Sequence, residues 1–214
     1  MVDKELIKKQ ELENFLQSQL FKESQTQVIP YGYEIIDKYP LHPPFSYANI
    51  LYNKEKANYL YFVDELRLTK EEERIFENLH DLIEASLESP DSTESDNFES
   101  HLNTVIKEHE KMFFADSASS IEKVKYYLKR DINGFGLIDA LMYDVNIEDI
   151  SCSGTDKPIY IWHRKYDSIP TSVQFLTEEK LNSFISRIVF RAGKHISSAF
   201  PITDLALQGN HRLS

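Results

Sequence analysis

Four carboxylates, Asp139, Asp144, Glu148 and Asp149, crowd one short stretch of the chain. Paired carboxylates can hold a hard cation or pass protons to a substrate. Their spacing fits no calcium-loop pattern, so Asp144 and Asp149 are expected to accept from turn and strand-edge backbone N–H groups, and no metal site is expected. The seven histidines are scattered, with no two at zinc-ligand spacing beside a cysteine. His163, next to Trp162, is expected to pack against aromatic rings or to be hydrogen-bonded rather than to act in catalysis. Cys152 is the single cysteine; it has no electropositive sequence neighbour to activate it and reads as a small buried residue. No Gly-x-Ser-x-Gly elbow is present. The six glycines never form Gly-x-x-x-x-Gly-Lys-[Ser/Thr], the loop whose backbone N–H groups converge on phosphates. No independent enzymatic activity is therefore expected, and no catalytic residue is assigned. Arg187, Arg191, Lys194 and His195 give one helix a basic side, read either as a solvated face or as a contact for a neighbouring subunit or acidic partner.

The whole chain is acidic, with 35 Asp and Glu against 24 Lys and Arg and a formal charge of −11. That balance argues against broad nucleic-acid binding, which needs clustered cations against the phosphates. A lone thiol excludes an intramolecular disulfide and fits a reducing compartment. No apolar run reaches the ~20 residues of a membrane-spanning helix, and the charged start lacks the apolar core of a signal peptide. The expected setting is the cytoplasm.

The elements that must position these residues are legible from spacing. Residues 4–22 carry a rough helical pattern through Ile7, Leu12, Phe15, Leu16 and Leu20. Prolines then enforce an extended stretch, and 45–52 and 57–63 flank Asn53–Lys56 as a hairpin. Tyr59, Tyr61 and Val63 share one face of its second strand. Thr69 and Glu72 form a capping box that opens a helix ending near Leu87. Residues 88–98 are polar and acidic and read as a mobile linker. A helix resumes around Leu102, and a second capping box, Ser119 and Glu122, opens another that stops at Asn133-Gly134. After a short helical turn over 137–143, strands are expected at 147–152, 159–163 and 173–175. Thr177 then caps a helix whose stripe is Leu181, Phe184, Ile185, Ile188 and Ala192. Ile147, Ile150, Ile159 and Ile161 complete the expected core with that stripe. The class is α+β, with a mainly helical region and hairpin over 1–131 and a small α+β unit over 132–214.

The order Tyr127–Asp131, Gly134-Phe-Gly136, Ile138–Met142, Ile147-Glu-Asp-Ile-Ser151 and Pro158–His163 resembles the N-terminal domain of secretion-superfamily ATPases. The likeness runs on through the helix 178–192 to Asp204-Leu-Ala-Leu207. Ser151-Cys-Ser-Gly154 and Trp162–Tyr166 resemble the archaeal, GspE/FlaI-like branch of type II/IV secretion ATPases. Tyr39–Pro44 and Tyr61–Glu65 are similar to it as well. The resemblance implies a small PAS-like α/β sandwich unit over 132–214, preceding a RecA-like motor domain in one polypeptide. It implies ATP and magnesium in the full-length protein, with none held by this chain. It further implies a hexameric ring and an integral-membrane platform protein as partner, so that any membrane attachment is peripheral, at the inner face. Arg212 aligns with an arginine that reaches nucleotide phosphates in some members. The chain departs from the family at Leu207–Ser214, lacking a proline and with Gly209 one position early. It stops inside an expected strand, as a piece cut before the motor would. The alternative is a stand-alone, motor-less adaptor of the same family.

Overall fold

The computed structural model describes residues 28–87, 95–113, 118–194, 204–207 and 212–213. The helix expected at 4–22 and most of the linker, residues 88–94, lie outside them. Among the described residues the fold is α+β, with two three-stranded antiparallel sheets and a short two-stranded one.

Strands β1 (Tyr33–His42), β2 (Ser46–Asn53) and β3 (Asn58–Glu65) form the first sheet in that order. The expected hairpin is in register from Ser46 opposite Glu65 to Asn53 opposite Asn58. Asn53 closes its turn, because Oδ1 accepts from the backbone N–H of Glu55 and of Lys56, each at 3.0 Å. The proline-punctuated stretch before it becomes β1, an edge strand with two register shifts, where Pro40 costs no central ladder bond. Alternation sends Ala48, Ile50, Tyr61 and Val63 into one core.

Three helices follow: α1 (Lys70–Leu87), α2 (Ser95–Phe113) and α3 (Ala118–Leu128), the last widening into a π turn at Lys129–Asn133. The first capping box forms as expected. Thr69 Oγ1 accepts from Glu72 N–H at 3.2 Å and Glu72 Oε2 accepts from Thr69 N–H at 2.7 Å. Ile75, Leu79, Ile83, Phe98, Leu102, Val105, Ile106, Val124 and Leu128 interlock as the helical core. Two expectations change here. Helix α2 starts at Ser95, so 95–98 are its first turn rather than linker, and Phe98 is buried in the helical core; that burial offsets the ordering entropy. Helix α3 begins at Ala118, which puts Ser119 inside the helix rather than at its cap.

The rest of the chain runs through a 3-10 turn (Gly136–Ile138), α4 (Asp139–Met142), β4 (Ile147–Ser151), β5 (Tyr160–His163), β6 (Asp167–Pro170), α5 (Glu178–Arg191), β7 (Leu205–Ala206) and β8 (Arg212–Leu213). Strands β4, β5 and β6 make the second antiparallel meander. Its third strand is not the expected 173–175 but 167–170, whose Asp and Pro disguise it; an edge position tolerates Pro170. Val173 and Phe175 are buried all the same, and their carbonyls accept from Ile159 and Asp156 N–H, both at 2.9 Å. Thr177 caps α5 through Lys180 N–H at 3.3 Å. Of the expected core, Ile159, Ile161 and Ile188 are buried, while Ile147, Ile150, Leu181, Phe184 and Ile185 are half-buried at its margin.

The two sheets meet edge to edge. Tyr61 and Thr171 form a parallel bridge. Beside it Ser172 N–H donates to Tyr61 O at 2.8 Å, and Val63 N–H donates to Ser172 Oγ at 3.0 Å. One core cluster accordingly mixes β2 and β3 with Ile138, Leu141, Ile159, Ile161, Ile169 and Phe175. The helical cluster closes at Ile132, next to the boundary expected at 131/132. The first sheet, by contrast, packs with residues beyond that boundary.

Helix α3 is tied to α1 by a buried ion pair. Lys123 Nζ lies 2.9 and 3.0 Å from the Glu72 oxygens, and Ser120 Oγ donates to the same carboxylate at 2.8 Å. Burial alone would raise the Glu72 pKa, but the Thr69 N–H, Lys123 and Ser120 hold it below the usual glutamate value. We predict that Lys123→Ala, which leaves that carboxylate unpaired, lowers unfolding free energy by about 3–5 kcal/mol in urea titrations. Lys123→Met combined with Glu72→Leu should recover most of that loss.

Candidate functional site

Asp144 sits in the short loop between α4 and β4, nearly inaccessible to solvent. Its Oδ2 accepts from Tyr39 of β1 at 2.6 Å and from Tyr61 of β3 at 2.7 Å. Its Oδ1 accepts from Asn146 N–H at 2.8 Å and Asn146 Nδ2 at 3.0 Å. His163 of β5 completes the group, with Nε2 at 3.2 Å from the Tyr39 hydroxyl. Lys165 N–H donates to His163 Nδ1 at 3.1 Å, so the neutral ring carries its proton on Nε2 and donates it to Tyr39 Oη. The result is a directed relay, His163 to Tyr39 to Asp144, joined by Tyr61.

This group is a lock rather than a reaction centre. Burial, with Asp144 alongside, pushes both tyrosine hydroxyls far above their ordinary value, so neither is a base or nucleophile near neutrality. Burial pushes the His163 imidazole down, towards its neutral form. Among the described residues no three metal-ligating side chains converge. The other three carboxylates are dispersed. Asp139 is buried and accepts from Phe135 N–H at 2.7 Å, Glu148 faces Arg164 at 3.3 Å, and Asp149 is exposed on β4. Asp144 meets a turn donor as expected, and His163 is both bonded and packed among Tyr61 and Tyr166. Cys152 is exposed rather than buried, because it follows the last residue of β4, where the chain leaves the sheet.

A second lock joins the first sheet to the helices. Arg130 donates to Glu65 at 2.7 Å and to Asp131 at 2.6 Å, and its guanidinium lies 4.4 Å from the Tyr127 ring centre. Tyr126 donates to the same Glu65 at 2.6 Å.

The basic side of α5 turns inward to the chain's own backbone. Arg187 donates to the Asp131 carbonyl, and Arg191 to the Asn133 and Gly134 carbonyls at 2.6 and 2.7 Å. These are the free carbonyls at the end of α3 and its π turn, where cations are favoured. Lys194 donates to Asp204 O at 2.5 Å, just before β7. His195 lies outside the described residues. Gly134 is required at the turn, since a Cβ there would lie 2.3 Å from Asp139 Oδ1. Leu205 packs against Ile188 and Val189 of α5, and β7 pairs with β8 so that Arg212 stands opposite Ala206. Arg212 is thus placed by backbone pairing one strand away from the end of α5.

No family model matches the chain. It is similar to the uncharacterized protein MJ1288 of Methanocaldococcus jannaschii, 39% identical over 168 residues, which are 76% of this chain and 65% of that protein. It is also similar to the uncharacterized protein MJ0900 of the same organism, 30% identical over 106 residues, 47% of this chain and 19% of that protein. The chain therefore spans less than two thirds of either relative. Among the described residues no helix is long and apolar enough to cross a membrane.

Sequence reasoning missed both locks. No spacing signal was available, since Tyr39 and Asp144 are 105 residues apart and Glu65 and Arg130 are 65 apart. Tyr39, Tyr61 and His163 contribute to the pH dependence of stability. A raised hydroxyl pKa contributes stability that is full below the unfolded value of about 10 and is lost above it. A depressed imidazole pKa contributes stability that is full above the unfolded value of about 6.5 and is lost as pH falls below it. Thermal melts across pH should show a plateau between these limits and decline on both sides. Tyr39→Phe should flatten the alkaline limb.

Proposed function

We propose that this chain is the non-catalytic N-terminal part of a hexameric secretion, pilus or archaellum assembly ATPase of the archaeal GspE/FlaI-like type. In this reading it transmits nucleotide-driven motion of a following RecA-like motor domain to an integral-membrane platform protein. It works at the cytoplasmic face, attached to the membrane through that partner. ATP and magnesium belong to the motor, and nucleic acid is not a partner. The unit beyond residue 132 is read as a PAS-like sandwich, supported by an antiparallel meander whose apolar face meets the α5 side chains Leu181 and Phe184.

The observation that carries the proposal is the mechanical continuity at the end of α5. Arg187 and Arg191 fasten the helix to the end of the helical layer, and Leu205 and Lys194 fasten β7 to the same helix and its C-terminal turn. A displacement imposed at β8, where a following domain would pull, therefore reaches the helices as a rigid-body movement rather than being absorbed by a loose tail. Arg212 lies in that strand, and in this reading its guanidinium makes a charge-assisted contact to phosphate held by the motor.

This chain alone should show no magnesium-dependent ATP turnover that a mutation within it abolishes. In the protein carrying the motor domain, Arg212→Ala should lower turnover by roughly tenfold or more, as expected for loss of a transition-state contact. Assembly and melting temperature should be unchanged. Arg212→Lys should recover little, because an ammonium lacks the two-pronged geometry. Full turnover in the assembled alanine variant would remove Arg212 from the nucleotide site.

A further inference from the structure

Strand β5 is central in its sheet, and its residues alternate sharply. Ile161 and His163 are buried, whereas Tyr160 and Trp162 point outward, 43% and 49% exposed. Across the ladders Trp162 is flanked by Asp149 and Ser168, and Tyr160 by Ser151 and Pro170. The exposed carboxylate of Asp149 therefore stands beside an outward-facing aromatic pair. Arg164, the cation at the end of β5, is already engaged by Glu148 at 3.3 Å.

Elsewhere in the molecule, three tyrosine rings carry a cation. Arg130 stands over Tyr127 at 4.4 Å, Lys165 over Tyr166 at 5.0 Å and Lys38 over Tyr47 at 5.1 Å. Trp162 and Tyr160 have neither a cation nor a ring partner among the described residues, and Asp149 has no side-chain partner there. Indole is the strongest cation–π acceptor among the side chains, and a neighbouring carboxylate adds ion pairing to the same guest. On a chain of net charge −11 the surrounding field also draws cations in.

We propose that the outer face of the β4–β5–β6 sheet binds a Lys/Arg-rich peptide segment. Trp162 and Tyr160 receive cationic side chains on their faces, and Asp149 pairs with one of them. The surface stands on its own geometry and does not depend on the ATPase reading above.

Trp162 is the sole tryptophan of the chain, so its emission reports this face directly. The probe is a short fluorescein-free Lys/Arg/Gly peptide titrated against the intact chain at low salt. A labelled copy is followed by anisotropy, and an Asp/Glu/Gly peptide of equal length serves as the reference. The basic peptide should shift Trp162 emission saturably, and its affinity should fall roughly tenfold as salt is raised past the screening range. Asp149→Lys should weaken binding about tenfold or more, whereas Glu77→Lys, the same change of charge on the exposed face of α1, should have little effect. Trp162→Leu should abolish the anisotropy response. If that variant fails to fold, the pair of charge reversals decides. The proposal is overturned by equal loss in Asp149→Lys and Glu77→Lys, which would mean general attraction to an acidic protein. It is also overturned by an equal response to the acidic peptide, by no response at low salt, or by stronger quenching with a single-stranded oligonucleotide.

Discussion

Burying a carboxylate costs several kcal/mol unless donors replace its water. Asp144 meets that requirement with four hydrogen bonds, and the donors come from three places in the chain: β1, β3 and its own loop. The first sheet can present Tyr39 and Tyr61 to that carboxylate only when it is docked edge to edge on the second, as the Tyr61–Thr171 bridge requires. Polar satisfaction therefore dictates the tertiary arrangement more sharply than apolar burial does. Side chains such as Ile50 and Ile161 would tolerate small slips in how the sheets meet; a shared carboxylate oxygen between two phenols would not.

The same logic recurs outward from that point. Glu65 ends β3 and takes Arg130 and Tyr126, which ties the first sheet to the close of the helical layer. Arg187 and Arg191 then take the carbonyls that the π turn leaves free, and α5 carries the connection on to β7 and β8. Each joint sets a charged group against hydrogen-bond partners of fixed geometry, and each lies between elements far apart in sequence. The domain is best described as a helical layer and a composite sheet riveted at three polar points.

Local features were legible in the sequence where local physics governs them. The Thr69 box, the Thr177 cap and the hairpin around Asn53 each depend on residues two or three apart, and all three form. The helix at Ser95 was hidden because its first residues are polar, and only the burial of Phe98 in a distant cluster makes them helical. Strand β6 was hidden because Asp167 and Pro170 are poor strand formers that an edge position accommodates. The exposure of Cys152 depends on where β4 ends, which the residue type does not encode. The locks could not be derived from spacing, since Tyr39 and Asp144 are 105 residues apart. The cluster of four carboxylates suggested proximity that the fold disperses, one residue to each of four environments.

The separation between Tyr39 and Asp144 has a consequence for biosynthesis. Contacts that close such long loops form late, because the entropy of closure precedes any reward. A nascent chain emerges with the first sheet complete in its own hydrogen bonds but with Ala48, Ile50, Tyr61 and Val63 facing water until residues near 175 have been made. At about 5–20 residues per second, that interval lasts several seconds or more. During it the sheet offers an apolar face and the unpaired outer edge of β3, which are the surfaces most readily captured by another copy still being translated. Widely spaced ribosomes, which keep nascent copies apart, or a chaperone that holds that face would raise the yield of correctly joined molecules.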